Sequence, residues 1–251
     1  MRKIESGENP RIKRVQKILR GREKTRFLIE GRKLLEEAID SGVAFEEVFA
    51  TSEFQKREAG LLKRLDLEVV EVSPSLMKVI SDVETPQGVV AVALRPSSSE
   101  PVPLAHHAGF LFSIRDPGNM GTIFRSAEAA GCDFLALTSD CVDPYQPKVV
   151  RASMGSVFRV PFIVVSDPIS YLQKSKMAGI HIYGMFPKGG QNLLKAKPLY
   201  PALLLIGSEN EGLPEDLPVE IRLSIPMRGR VESMNAAMAA AIGFYFFVSP
   251  G

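Results

Sequence analysis

From residue 109 onward, short apolar runs are interleaved with segments of helical spacing. GFLFSI, DFLALTS, RVPFIVV, HIYGMF and PALLLIG read as strands, and NMGTIFRSAEAAG, YQPKVVRASMG and DPISYLQKSKMAG read as helices. The runs are apolar on successive residues rather than on every second one, which is the pattern of strands buried on both faces. Parallel strands need long crossovers, and helices supply them. A mostly parallel sheet covered on both sides is therefore the expected fold of this part, with IRLSIPM as a last short strand. In such sheets ligands bind where strands end and loops pass into helices.

The first ninety-odd residues read as a smaller α/β sandwich. Ile12, Val15, Ile18 and Leu19 are helically spaced in NPRIKRVQKILR, and RKLLEEAIDSG is a second helix closed by Gly42. FEEVFAT, LEVVEVS and QGVVAVAL read as strands, with EAGLLKRLD helical between the first two and SPSLMKVISD a short helix capped by Ser73. The seam RPSSSEPVP is rich in Ser and Pro, as extended linkers are. The expected division is residues 1–95, a linker over 96–103, and residues 104–251. Asp143 and Pro144 are expected to cap the YQPKVVRASMG helix.

Several classes are excluded or disfavoured. The longest apolar run, Ala236 to Val248, is thirteen residues, whereas a spanning helix needs about 20. No secretory signal is apparent after Met1. Cys132 and Cys141 lie in no metal-ligand or CxxC spacing, which fits reduced thiols in the cytoplasm and no metal. Gly118 and Gly121 do not fit the G-x-G-x-x-G fingerprint, and no G-x-x-x-x-G-K-[ST] occurs.

Charge is uneven. Residues 1–33 hold twelve Lys/Arg against four Asp/Glu, a balance of +8, while the whole chain carries +2. A basic arm on an acidic body is the footprint of a polyanion partner. A solvated, charge-rich helix would give the same count.

Three strand exits concentrate glycine and polar residues. Ile114–Gly131 carries Asn119, at an apparent cap position, and Arg125 inside the following helix. Leu203–Asp216 carries Gly207, Glu209 and Gly212. IPMRGRVESMNAAMAAAIGFYFF, from Ile225, reads as a helix with a polar opening that includes Ser233 and Asn235. A helix cap and a solvated arginine would explain the first exit without any ligand. In order, however, NMGTIFRSAEAAG, IGSENEGLP and IPMRGRVESMNAAMAAAI resemble the three motifs of SpoU/TrmH-type RNA ribose 2′-O-methyltransferases of the SPOUT class. NPRIKRVQKILR, FLIEGRKLLEEAI and TPQGVVAVA resemble the substrate-binding domain of the members that modify large ribosomal RNA.

The resemblance implies a SPOUT-type sheet with a C-terminal deep trefoil knot, preceded by a small α/β RNA-binding domain. It implies S-adenosylmethionine as cofactor without a metal, structured RNA (most of all 23S-type ribosomal RNA) as partner, and a cytoplasmic homodimer. Gly207, Ile225, Met227 and Met234 would hold the cofactor. Asn119, Arg125, Glu209, Ser233 and Asn235 would be catalytic. Because arginine keeps its proton, Arg125 is expected to hold the target phosphate and stabilise developing alkoxide charge, with Asn119, Ser233 and Glu209 orienting it and the nucleotide. Met234 and Ala236 stand where the family usually has Leu and a β-branched residue. Arg151 and Ser153 would lie near the site or on an ordinary helix surface. A tRNA-modifying enzyme and a non-catalytic RNA-binding protein of the same fold are the alternatives.

Overall fold

The computed structural model describes residues 3–96 and 106–248. The linker expected over 96–103 lies, past Pro96, outside them. The elements in chain order are β1 (Lys3–Ile4), α1 (Pro10–Leu19), β2 (Arg26–Glu30), α2 (Arg32–Asp40), β3 (Phe45–Ala50), α3 (Ser52–Arg57), α4 (Ala59–Leu62), β4 (Val69–Val72), α5 (Pro74–Val79) and β5 (Val89–Leu94). There follow β6 (His107–Leu111), α6 (Pro117–Ala129), β7 (Leu135–Thr138), α7 (Pro147–Ser153), β8 (Phe162–Val165) and α8 (Pro168–Met177). The last are β9 (His181–Met185), β10 (Gln191–Asn192), β11 (Ala202–Ile206), β12 (Ile221–Ser224) and α9 (Ala236–Tyr245). None of the helices is long and apolar enough to cross a membrane among the described residues.

Two compact units result, and a single cut in the sequence does not separate them: residues 143–158 cluster with the N-terminal unit. That unit is built on the mixed sheet β1-β4-β3-β5-β2. One face is covered by α1 and α5, whose Ile12, Val15, Ile18, Leu76 and Met77 meet Leu28, Phe49, Val70 and Val90. Residues 143–158 are held by aromatic and charged contacts. The Phe27 ring lies 4.5 Å from Tyr145 and 6.0 Å from Phe158. Arg95 grips Asp143 with two hydrogen bonds of 3.0 and 2.7 Å, and its guanidinium sits 5.1 Å from the Tyr145 ring centre. Asp143 is thus not a cap. The residue before α7 is Gln146, and no side chain caps that helix.

The basic segment is not a free arm. It folds as β1, α1, β2 and the start of α2, and much of its charge is neutralised locally. Arg11 and Arg14 pair with Glu47, and Arg14 and Arg26 with Glu46, all across to β3. Arg32 pairs with Glu36 and Glu58. Arg151 donates to Asp82 at 2.7 Å, and Ser153 is buried with its hydroxyl on the Val150 carbonyl, so both do structural work in this unit.

The second unit is a seven-stranded sheet, β10-β12-β9-β11-β6-β7-β8, in which every ladder is parallel, as its apolar runs predict. On one face Ala108, Phe110, Ala136, Leu203 and Leu205 pack with Leu172 of α8. On the other lie α6 and α9, in contact with each other. Two glycines let α9 sit flush: a Cβ on Gly109 of β6 would come within 2.8 Å of Phe244, and one on Gly243 within 2.6 Å of Leu204. The chain runs outward from β6 through β7 to β8, then returns to build β9, β11 and β12 on the other side. The switch in strand order therefore falls between β6 and β11, where a ligand crevice is expected.

Candidate active site

The exits of β6 and β11 lie side by side at this switch point, and the loop into α9 joins them. At the first exit Asp116, not Asn119, caps α6: its carboxylate accepts from the Asn119 amide at 2.8 Å. Pro117, pre-set for the first helical position, fixes the start there. Asn119 falls in the first turn with its side chain unspent. At the second exit Gly207 is pressed against the returning backbone. A Cβ there would lie 2.2 Å from the Gly212 carbonyl carbon, so only glycine fits. Gly212, at φ +69°, turns the chain back, and its amide donates to Ser208 at 3.0 Å.

The third segment differs from its expected form. Helix α9 begins at Ala236, so Ile225–Asn235 is a loop rather than the opening of a helix. Asn235 is the cap: its Oδ1 accepts from Ala237 and Met238 at 3.0 and 3.2 Å. With Oδ1 committed to the helix, Nδ2 points the other way. It donates to Glu209 Oε1 at 2.7 Å and to Asn119 Oδ1 at 3.0 Å, while Asn119 Nδ2 donates to the same Glu209 oxygen. Three segments about a hundred residues apart at the extremes thus lock together through one carboxylate oxygen. Glu209 Oε2 has no partner among the described residues.

Beside this cluster opens a cleft of about 500 Å³, lined by Gly207, Glu209, Ile225, Met227, Ser233 and Met234 among others. The size is that of a small-molecule site, for which ~300–1,000 Å³ is usual. Its lining holds four carboxylates (Glu209, Glu211, Glu215 and Glu232) and two cations (Lys188 and Arg222), so it is net negative. Arg222 is already spent: it pairs with Glu215 at 2.6 Å and lies 4.2 Å from the Phe186 ring centre.

Arg125 and Ser233 stand apart from the cluster. Both are exposed, and neither side chain has a hydrogen bond or ion pair among the described residues. The exit of β9 is a further wall, beyond the three polar exits of the sequence: Met185, Phe186, Pro187 and Lys188 all line the cleft. The signal was present as PKGG, a proline and two glycines directly after an apolar run.

An open parallel sheet with an acidic cleft at its switch point, walled by strand exits and carrying a carboxylate–amide cluster at its rim, defines a ligand-binding α/β domain of enzyme type. The chain belongs to the SpoU rRNA Methylase family, whose pattern residues 109–245 match. Residues 9–91 match the MRM3-like substrate binding domain. Over 252 aligned residues it is 31% identical to the 23S rRNA (guanosine(2553)-2′-O)-methyltransferase RlmP of Bacillus subtilis, with 98% of each chain covered. Among solved structures it resembles the AdoMet-bound rRNA methyltransferase from Sinorhizobium meliloti (TM-score 0.85, 28% identity, covering 98% of this chain and 96% of that one). It also resembles the SpoU methyltransferase AviRb from Streptomyces viridochromogenes in complex with AdoMet (TM-score 0.81, 30% identity, covering 96% and 97%).

Proposed function

We propose that the chain transfers a methyl group from S-adenosylmethionine to the ribose 2′-hydroxyl of a nucleotide in large-subunit ribosomal RNA. The observation that carries this reading is the Asn119–Glu209–Asn235 cluster at the rim of the cleft. The cleft suits the cofactor: Ile225, Met227 and Met234 offer apolar contact, Gly207, packed on the Gly212 backbone, shapes the wall beside them, and the acidic lining favours a cationic sulfonium. When bound, the cofactor supplies an electrophilic methyl whose transfer breaks the carbon–sulfur bond and leaves a neutral thioether while the hydroxyl proton passes to solvent, so the chain's task is mainly alignment. Asn119 and Asn235 fix Glu209, whose free Oε2 accepts a hydrogen bond from the ribose hydroxyl. Arg125, which keeps its proton throughout, holds the target phosphate and stabilises developing alkoxide charge, and Ser233 helps orient the nucleotide.

Three further features belong to this reading. The first is a homodimer, supported by Met238 and Tyr245, exposed on α9 although the helix is apolar all round. A trefoil knot is the second, supported by the insertion of β11 between β9 and β6 before the chain returns through Ile225–Asn235 to α9. The third is a cytoplasmic location, in keeping with an RNA substrate and the free thiols of Cys132 and Cys141. Calorimetry with S-adenosylhomocysteine tests the reading at its base: saturable binding is expected, and no heat at millimolar ligand would remove it. Arg125→Ala should then bind the same ligand normally while methyl transfer falls; undiminished transfer would take Arg125 out of the mechanism.

A further inference from the structure

Once its ion pairs are drawn, the basic balance of residues 1–33 condenses to one place. Lys17, Arg20 and Arg22 are exposed and have no ion pair or side-chain hydrogen bond among the described residues. Lys24 makes only a loose pair, 3.7 Å from Asp143. These residues fall at the end of α1 and in the turn after it, where a cleft of about 360 Å³ opens within the N-terminal unit. Its lining includes Leu19, Arg20, Lys24, Arg95, Asp143 and Tyr145. Both oxygens of the one carboxylate in the lining, Asp143, are taken by Arg95, which leaves Arg20 unpaired and Lys24 only loosely paired, so the lining carries net positive charge. A helix dipole accounts for a cation in the last turn. It does not account for cations that continue beyond the helix and border a concavity.

We infer that this cleft, with Arg20 and Lys24 on its wall and Lys17 and Arg22 beside it, is a docking site for the phosphodiester backbone of the RNA substrate. The inference rests on the RNA-modifying reading above and adds to it the surface by which the N-terminal unit holds the strand. Arg95 is part of the frame: clamped to Asp143 and stacked on Tyr145, it keeps the wall rigid while the free cations meet phosphate. Backbone contacts of this kind position RNA without reading its sequence.

The test is the salt dependence of binding to an unmodified transcript of large-subunit ribosomal RNA. The triple variant Arg20→Gln/Arg22→Gln/Lys24→Gln removes three charges at the cleft. Lys33→Gln/Lys56→Gln/Lys63→Gln removes three exposed charges elsewhere in the same unit. Each phosphate contact contributes roughly 0.7–0.9 to the slope of log K against log salt. The cleft variant should therefore lose about 2 from that slope and bind at least tenfold more weakly at low salt, with S-adenosylhomocysteine binding unchanged. The control variant should keep most of its slope. An unchanged slope in the cleft variant, or an equal loss in the control, overturns the inference. Wild-type protein that binds RNA but transfers no methyl group would instead count against the proposed function and leave the docking site standing.

Discussion

Asn235 holds two jobs in one side chain, and they can be separated. Its oxygen caps α9 and its amide group ties Glu209 to Asn119. Asn235→Ala loses both, and the cap alone should cost about 1 kcal/mol of stability. Asn235→Asp caps as well as Asn does but turns the donor into an acceptor facing Glu209. Denaturant titration should find the Asp variant the more stable of the two, while methyl transfer falls at least tenfold in both; full activity in the Asp variant would show that the cluster is not needed. A second residue-scale prediction concerns His107. Its ring is fully buried, stacked on Phe247 at 5.3 Å, with Nε2 lacking a partner among the described residues. Burial, reinforced by neighbouring His106, pushes its pKa down to about 4 from 6.5. Between those values the unfolded chain binds a proton that the native state does not, so stability falls as pH drops from about 6.5 toward 4. The loss from pH 7 to pH 5 should be about 2 kcal/mol by urea unfolding, and His107→Leu should flatten it; an equally steep fall in that variant would put the effect elsewhere.

At the scale of elements, the seat of α9 decides whether Asn235 reaches its partners. Gly109 and Gly243 let helix and sheet approach closely. Gly243→Val puts branched carbon where Leu204 lies, which should destabilise by about 1–3 kcal/mol as overpacking does. Because α9 would be displaced, cofactor affinity should fall with stability; thermal unfolding and calorimetry on one sample check both, and an unchanged melting temperature would contradict the close-packed seat. The strands and helices of this unit were legible because buried parallel strands are apolar on both faces. The start of α9 was equally written in the sequence, since Asn immediately before an apolar run is a cap signal. Its polar neighbours from Arg228 to Ser233 disguised the loop as a first helical turn. Likewise Asp-Pro at 116–117 specifies the cap of α6, and Asn119 is free for the site because Asp116 took that place.

For the whole molecule, what the sequence hid is what depends on distant partners. Nothing local in residues 143–158 says that Tyr145 and Phe158 flank Phe27, so their membership of the N-terminal unit follows only from tertiary packing. Counting charge along the chain could not show that Glu46 and Glu47 neutralise Arg11, Arg14 and Arg26. The site was legible to a greater degree. Its three polar exits stand out against the apolar strands they follow, although their meeting at Glu209 needed the strand order to be known. The central claim is that this meeting point directs a methyl group to a ribose oxygen. The most direct measurement is mass spectrometry of nucleosides from unmodified large-subunit ribosomal RNA incubated with the protein and isotope-labelled S-adenosylmethionine. Label is expected in a single 2′-O-methylated nucleoside and should be abolished by Glu209→Ala. Label on a base, or no label under conditions where both RNA and cofactor bind, would contradict it.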